Sequence, residues 1–325
     1  MTQPSTDAPA RYSLAAPAGA TRCVAVELGA RHVRVLLGDL DGHVVHDRST
    51  RFPVDTDPIG AARHAQHALA EALVRDRAGT GRHSSIDGHI TGGDVVTLDD
   101  VAAVVVARRD RAADAARIVA TTLLRVPGAP AAVVVRAVDL AAQAEHRAAS
   151  ATDAAWGASA DRSSGHHPVL HVDIDHGVET TLLLDPDRAA CPSASGAPGH
   201  GAVPRRLTGA EAESGRATET LPACEDHVRR AAGPDATRHD LRRAGVALGI
   251  ALAREATRTG AHTIVLDGRL GSASGTLTTA LRATFAEHTT GGAVLREARL
   301  ARRAAVLGAL DLATRIAAVR LTTPA

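Results

Sequence analysis

Neither lysine nor asparagine occurs among the 325 residues. All 37 basic side chains are arginine, set against 36 acidic ones for a formal net charge of +1. A balance so close to zero gives no electrostatic case for nucleic acid or a membrane as partner of the whole chain. The arginine excess accompanies alanine and glycine richness, the mark of a high-GC genome's codon bias. Large rings are as scarce: Tyr12, Phe52, Trp156 and Phe285 are all there are, so no stacking platform exists for sugars or bases. Three widely spaced cysteines, Cys23, Cys191 and Cys224, argue against a disulfide framework or a CxxC metal site. No apolar run approaches the roughly 20 residues that span a bilayer, and MTQPSTDAPARYS is not a basic-then-apolar leader. The expectation is a cytoplasmic protein without membrane contact.

What is present reads as a globular α/β chain. Hydrophobic content is 45% and charged content 22%, and the length allows two compact domains. The most informative stretch is Val24 to Val45, VAVELGARHVRVLLGDLDGHVV. Two apolar, β-branched runs flank Gly29, and Asp41-Gly42 makes a tight turn after the second. A strand, a glycine turn and a returning strand can bring backbone N–H groups close to a phosphate, because glycine has no Cβ to block approach.

Beyond the hairpin, Pro58 to Arg77 carries Ile59, Ala62, Ala65, Leu69 and Leu73 at helical spacing behind an initial proline. Residues 78–94 read as a glycine-rich loop. Val101 to Val106 and Ala131 to Val135 read as buried strands, with a helix from about Arg111 to Leu124 between them. A helix from Asp139 to Ala149 precedes paired strands at Val169–Ile174 and Val178–Leu184. Residues 186–222 read as a long irregular segment. A helix from Thr237 to Thr257, a strand at Thr263–Leu266, a helix from Ser274 to Glu287, a strand at Ala293–Glu297 and a helix from Leu300 to Ile316 follow. Strands alternating with helices predict mostly parallel sheets joined by right-handed crossovers.

In order and spacing, these motifs resemble the ROK family of repressors and sugar kinases. The likeness runs from about residue 12 to the end and is nearest to the regulator branch of high-GC bacteria. It is carried by the hairpin with its Asp39-Leu40-Asp41-Gly42 turn, by LAAQAEHRA (Leu140–Ala148), by TIVLDGRLG (Thr263–Gly271) and by RRAAVLGALDLA (Arg302–Ala313). The resemblance implies an actin-like ATPase fold of two lobes with a ribonuclease H-like core. Residues 1–20 would be a disordered tail. Residues 21–136 would form an N-terminal lobe completed by a C-terminal helix at about 300–325, and 137–299 the second lobe. Family members commonly dimerise, so a homodimer is expected.

The same comparison assigns sites, and the residues depart from it. Glu27 and Gly29 fall in the first phosphate loop, Gly177 in the second, and Asp267 and Gly268 in the adenosine loop. A second-loop glycine of active members is here Glu179, which would set a carboxylate against polyphosphate. The catalytic base of family kinases falls on Ala137, which cannot take a proton, and no asparagine is present to hold a sugar hydroxyl. Asp139, two residues on, is either a substitute base or a helix N-cap. Asp139, Glu145 and His200 are the expected sugar contacts. His200, in Gly196-Ala197-Pro198-Gly199-His200, has a second reading as a surface-loop histidine. AEAESGRATET (Ala210–Thr220) lacks the family's zinc cysteines, so no metal is expected there.

His166, His167, His171, Asp173, Asp175 and His176 leave two readings open: a metal site on a hairpin, or the solvated polar face of an edge strand. Three functions remain. The chain is a regulatory or sugar-sensing domain that has lost catalysis, binding a sugar or sugar phosphate. Or it is a working sugar kinase with ATP and Mg²⁺ as cofactors. Or it is a scaffold binding no small ligand. A winged helix is not evident, so the chain as written is not expected to bind DNA by itself.

Overall fold

A computed structural model describes residues 20–29, 31–79, 98–109, 112–123, 130–155, 168–175, 177–183, 220–273 and 275–322. The chain divides into two compact units, Met1–Val135 with Ala309–Ala325, and Arg136–Gly308.

The first unit is built on β1 (Arg22–Leu28), β2 (His32–Asp39), β3 (Val44–Arg51), β4 (Val101–Arg108) and β5 (Ala132–Arg136, entering the second unit at its last residue), in the order β3-β2-β1-β4-β5. β1–β2 and β2–β3 are antiparallel, whereas β1 and β4 run parallel. β1 sits at the centre, which explains the apolar run Cys23–Val26: both faces are covered. Helices α1 (Pro58–Gly79) and α2 (Ala113–Leu123) close one face. There Val24, Val26, Val35 and Leu37 pack with Ala65, Leu69, Ala116 and Val119. The other face takes the C-terminal helix α8 (Ala304–Thr322, called so in chain order). Its Leu310 fills the gap over Gly38, and Arg320 donates to the carbonyls of Ala102 and Ala131 at 3.1 and 3.4 Å. Gly42, at φ +84°, makes the β2–β3 turn as its sequence requires. The Ala131–Val135 run, expected to be buried, forms an edge strand with Val134 exposed. An apolar run cannot by itself tell a central strand from an edge.

The second unit has a four-stranded sheet, β7-β6-β8-β9, from β6 (Val169–Ile174), β7 (Val178–Leu183), β8 (Thr263–Asp267) and β9 (Val294–Glu297). β6–β7 is an antiparallel hairpin, while β6–β8 and β8–β9 are parallel. Parallel pairing thus holds where helices intervene, and the hairpins make both sheets mixed. One face carries Leu170, Val172, Ile174, Ile264 and Leu266 against helices α4 (Thr220–Ala231), α5 (Arg238–Thr259) and α7 (Gly275–His288), with the short α6 (Gly268–Ala273) following β8. Thr237 and Asp240 form a reciprocal capping box at the head of α5. Gly245 and Gly249 let α5 lie on α7 so closely that an added Cβ would meet the Leu277 and Leu281 carbonyls at 2.4 and 2.8 Å. Helix α3 (Ala137–Ala155) packs on β6 and β7. A 3₁₀ turn, Ala301–Arg303, leads into α8.

Two expectations are corrected here. The irregular reading of residues 186–222 ran past the start of α4, whose Cys224, Val228 and Ala231 recur at helical spacing and are buried. The polar face of β6 is not solvated. β6 is an interior strand, and His171 and Asp173 are buried at 1% and 5% exposure. No helix among the described residues is long and apolar enough to cross a membrane.

Candidate functional site

At the end of β1 in the first unit, Glu27 is buried at 4% exposure, between Arg34 on β2 and Ala107 on β4. Its Oε1 lies 3.4 Å from His32 Nε2, and its Oε2 has no hydrogen-bond partner among the described residues. Arg34 forms a bidentate pair with Asp47 at 2.8 and 2.7 Å. The Gly29 N–H is already donated to the His32 carbonyl at 3.0 Å, which closes the hairpin tightly. The His32 ring lies over the glycine, so a Cβ built on Gly29 would meet His32 Cε1 at 2.2 Å. The glycine face expected to receive a phosphate is covered by an imidazole.

In the second unit, the strand register places Glu179, Asp173 and Asp267 side by side across β7, β6 and β8. Cross-strand neighbours have Cβ atoms about 5 Å apart. Three carboxylates in one row, at the C-terminal ends of parallel β6 and β8, make this edge hostile to polyphosphate, although ligands of open α/β sheets usually bind at such ends. The Gly268 N–H donates to Asp267 Oδ1 at 2.6 Å. Gly268 has φ +86° and abuts Asp173 and the end of β6. Asp175 N–H bonds the Gly177 carbonyl at 3.1 Å, and a Cβ on Gly177 would approach Glu225 Oε1 at 3.3 Å. Asp175 also pairs with Arg269 at 3.4 Å, and Arg269 reaches the Ala232 carbonyl at 3.0 Å.

Two residues back along β6 from the acids, on the same face, His171 faces Thr181 across the hairpin. Neither ring nitrogen of His171, nor the Thr181 hydroxyl, has a hydrogen-bond partner among the described residues. Asp267 Oδ2 is 3.8 Å from His171 Nε2, too far for a hydrogen bond. Burial therefore dominates, and the imidazole pKa falls to about 4 from 6.5. The unfolded chain takes up this proton first. The contribution is thus full above about pH 6.5 and is lost as pH falls through 4. The expected loss is about 3 kcal/mol across that window. Urea melts at a series of pH values should show it, and His171→Leu should flatten the dependence. An unchanged slope in the variant would assign the acid sensitivity to other groups.

The head of α3 carries the remaining expected site residues. The helix begins at Ala137, so Asp139 lies in its first turn rather than at the N-cap. Ala137 is fully packed away, and Asp139 is nearly so, with Arg136 Nη1 at 3.4 Å. Glu145 is buried and accepts the N–H groups of Arg299 and Leu300 at 2.7 and 2.5 Å. It fixes the turn that leads into α8. Beside it, α8 crosses α3 at Gly308, where a Cβ would meet the Leu140 carbonyl at 2.2 Å.

His200, Gly196–Gly199, His166, His167 and His176 lie outside the described residues, as do Ala30 and nearly all of the segment searched for zinc cysteines. Among the described residues, Asp39, Asp41 and His43 at the β2–β3 turn bring ligand atoms within 4.8 Å of one another. Asp39 is already occupied there by the N–H groups of Asp41 and His43. The two described cysteines are buried, which pushes both thiols up, Cys224 to about 11, so neither is a ready nucleophile. Sequence reasoning missed the part played by His32. Only its position directly after the glycine turn hinted at it.

No protein-family model matches the sequence, and no curated protein matches it. Solved structures do. A ROK family transcriptional regulator, a homologue of the E. coli MLC protein, aligns with a TM-score of 0.52 at 14% identity, over 92% of this chain and 79% of that one. A glucokinase from Parabacteroides distasonis aligns at 0.51 and 14% identity, over 91% and 99%. An inorganic polyphosphate/ATP-glucomannokinase from Arthrobacter sp. strain KM aligns at 0.50 and 12% identity, over 91% and 99%. The chain therefore has the fold of ROK family proteins, the actin-like ATPase fold.

Proposed function

We propose that this chain is a regulatory or sugar-sensing relative of ROK proteins that carries out no phosphoryl transfer. The observation that carries the reading is the head of α3. The base position is the buried methyl of Ala137, and the nearby Asp139 is drawn to the Arg136 guanidinium. A general base must reach the proton it removes with a free lone pair. Both expected phosphate-binding loops support the reading. One glycine is covered by His32, and the other loop adjoins Glu179, Asp173 and Asp267. These residues do not fit ATP with Mg²⁺, and no step is assigned to that cofactor.

Similar structures include a transcriptional regulator and sugar kinases, so the fold alone favours neither. A sugar or sugar phosphate is the proposed ligand class, with Asp139 and His200 as the contacts to test. Glu145 is a weaker candidate, since both its oxygens hold backbone N–H groups. No direct DNA contact is proposed, and self-association into a homodimer remains part of the proposal. Calorimetric titration with hexoses, N-acetylhexosamines and their phosphates tests it. One member of the panel should bind saturably while ATP with Mg²⁺ gives no heat. Silence across the whole panel would leave the scaffold reading standing instead.

A further inference from the structure

We infer that His171 and Asp267 form the heart of a divalent transition-metal site inside the second unit, completed by Asp173 and Glu179. His171 is 1% exposed, and neither of its ring nitrogens has a hydrogen-bond partner among the described residues. Burial keeps the imidazole neutral, the form that offers a lone pair to a cation. Its Nε2 is turned to the acidic row and stands 3.8 Å from Asp267 Oδ2. Two ligand atoms on one Zn²⁺, each bonded at about 2.0–2.1 Å, lie about 3.3 Å apart at the tetrahedral angle. Closing by about 0.5 Å thus lets Nε2 and Oδ2 share an ion, whereas a hydrogen bond needs about 0.9 Å.

The strand register supplies the other donors. Asp173 is the direct partner of Asp267 across β6 and β8, and Glu179 is the partner of Asp173 across β6 and β7. Strand alternation puts His171 and Asp173 on one face of β6, so imidazole and carboxylates share one side of the sheet. Oxygen donors alone suit Mg²⁺ or Ca²⁺. An imidazole among them shifts the preference to an ion such as Zn²⁺. Glu179 is only partly buried, which gives the row an entry on its β7 side. The ion ties β6 to β8 and takes part in no group transfer.

The test uses the full chain, stripped of metal with a chelator, and Zn²⁺ or Mg²⁺ alone as the probe. Competition against a chromophoric chelator should find one tight Zn²⁺ per chain, and no Mg²⁺ at the same concentration. His171→Leu, shown to be folded by circular dichroism, should weaken that binding at least about a hundredfold. A lost ligand costs no less than a lost hydrogen-bond partner of one. His43→Ala, which removes a donor from the Asp39–Asp41–His43 turn, should leave the binding unchanged. On the unsubstituted chain, Zn²⁺ should slow hydrogen exchange of the β6 and β8 amides and leave those of β1 and β2 as they were. That readout does not depend on any variant folding. Equal Zn²⁺ affinity in folded His171→Leu overturns the site, as does loss of binding on His43→Ala alone. Absence of any tight Zn²⁺ overturns it too, and makes a buried water the partner of His171 and Thr181. None of these outcomes depends on whether a sugar binds or ATP turns over.

Discussion

Replacing Gly268 by alanine should cost the second unit about 4 kcal/mol, the sum of a left-handed backbone penalty and overpacking. The residue sits at φ +86° in the turn from β8 into α6. A methyl group there would lie 2.3 Å from Asp173 Oδ1 and 2.5 and 2.7 Å from the carbonyl oxygen and nitrogen of Ile174. Two of those three atoms are backbone of an interior strand and cannot swing aside. Relief would require β6 and β8 to separate, which would break the pairing that sets Asp173 against Asp267. Gly271, three residues on, is the control. Its added Cβ would make ordinary contacts from 3.6 Å outward, so Gly271→Ala should change stability by less than about 0.5 kcal/mol. With two units in the chain, a single melting temperature is not the right readout. Hydrogen exchange of the β6 and β8 amides should register the loss, and equal protection in both variants would show that the turn has room.

Glu145→Ala should be comparably costly, at about 4 kcal/mol, because it strands two backbone N–H groups and not merely one side chain. Arg299 and Leu300 donate to separate oxygens of this buried carboxylate. Glu145→Gln keeps one acceptor oxygen and turns an amide N–H against the other donor, so about half the loss should remain. Urea denaturation followed at the α3 and 298–303 amides gives the comparison. If Glu145→Ala unfolds normally yet loses sugar binding, the clamp is secondary and the residue is a ligand contact.

The parts of this fold that could be read from sequence are those where one local signal decides. The apolar runs Cys23–Val26 of β1 and Val101–Ala107 of β4, the proline that opens α1, and Gly42 at the β2–β3 turn are all of that kind. β6 was misjudged because alternating His171, Asp173 and Asp175 look the same whether solvent or a helix covers them. Only α3 packing on β6 and β7 decides for burial. The start of α4 is hard to read although Cys224, Val228 and Ala231 keep helical spacing, since its N-terminal Thr-Leu-Pro continues the Gly, Ala, Pro and Ser-rich composition of the sequence before it. At the proposed site, that residue 137 is an alanine with no proton-accepting group is legible from the sequence, and its burial is not. That His32 covers Gly29, and that Glu145 serves residues 154 and 155 positions away, are tertiary facts that no spacing rule carries.

The proposal that this chain transfers no phosphoryl group has one direct test. The direct measurement is ATP consumption by the purified full chain in the presence of Mg²⁺ and a panel of hexoses and N-acetylhexosamines. No sugar-dependent turnover above the protein-free background is expected. Sugar-dependent turnover within the ordinary kinase range of about 1–100 per second would contradict it, and would mean that a group other than residue 137 takes the proton.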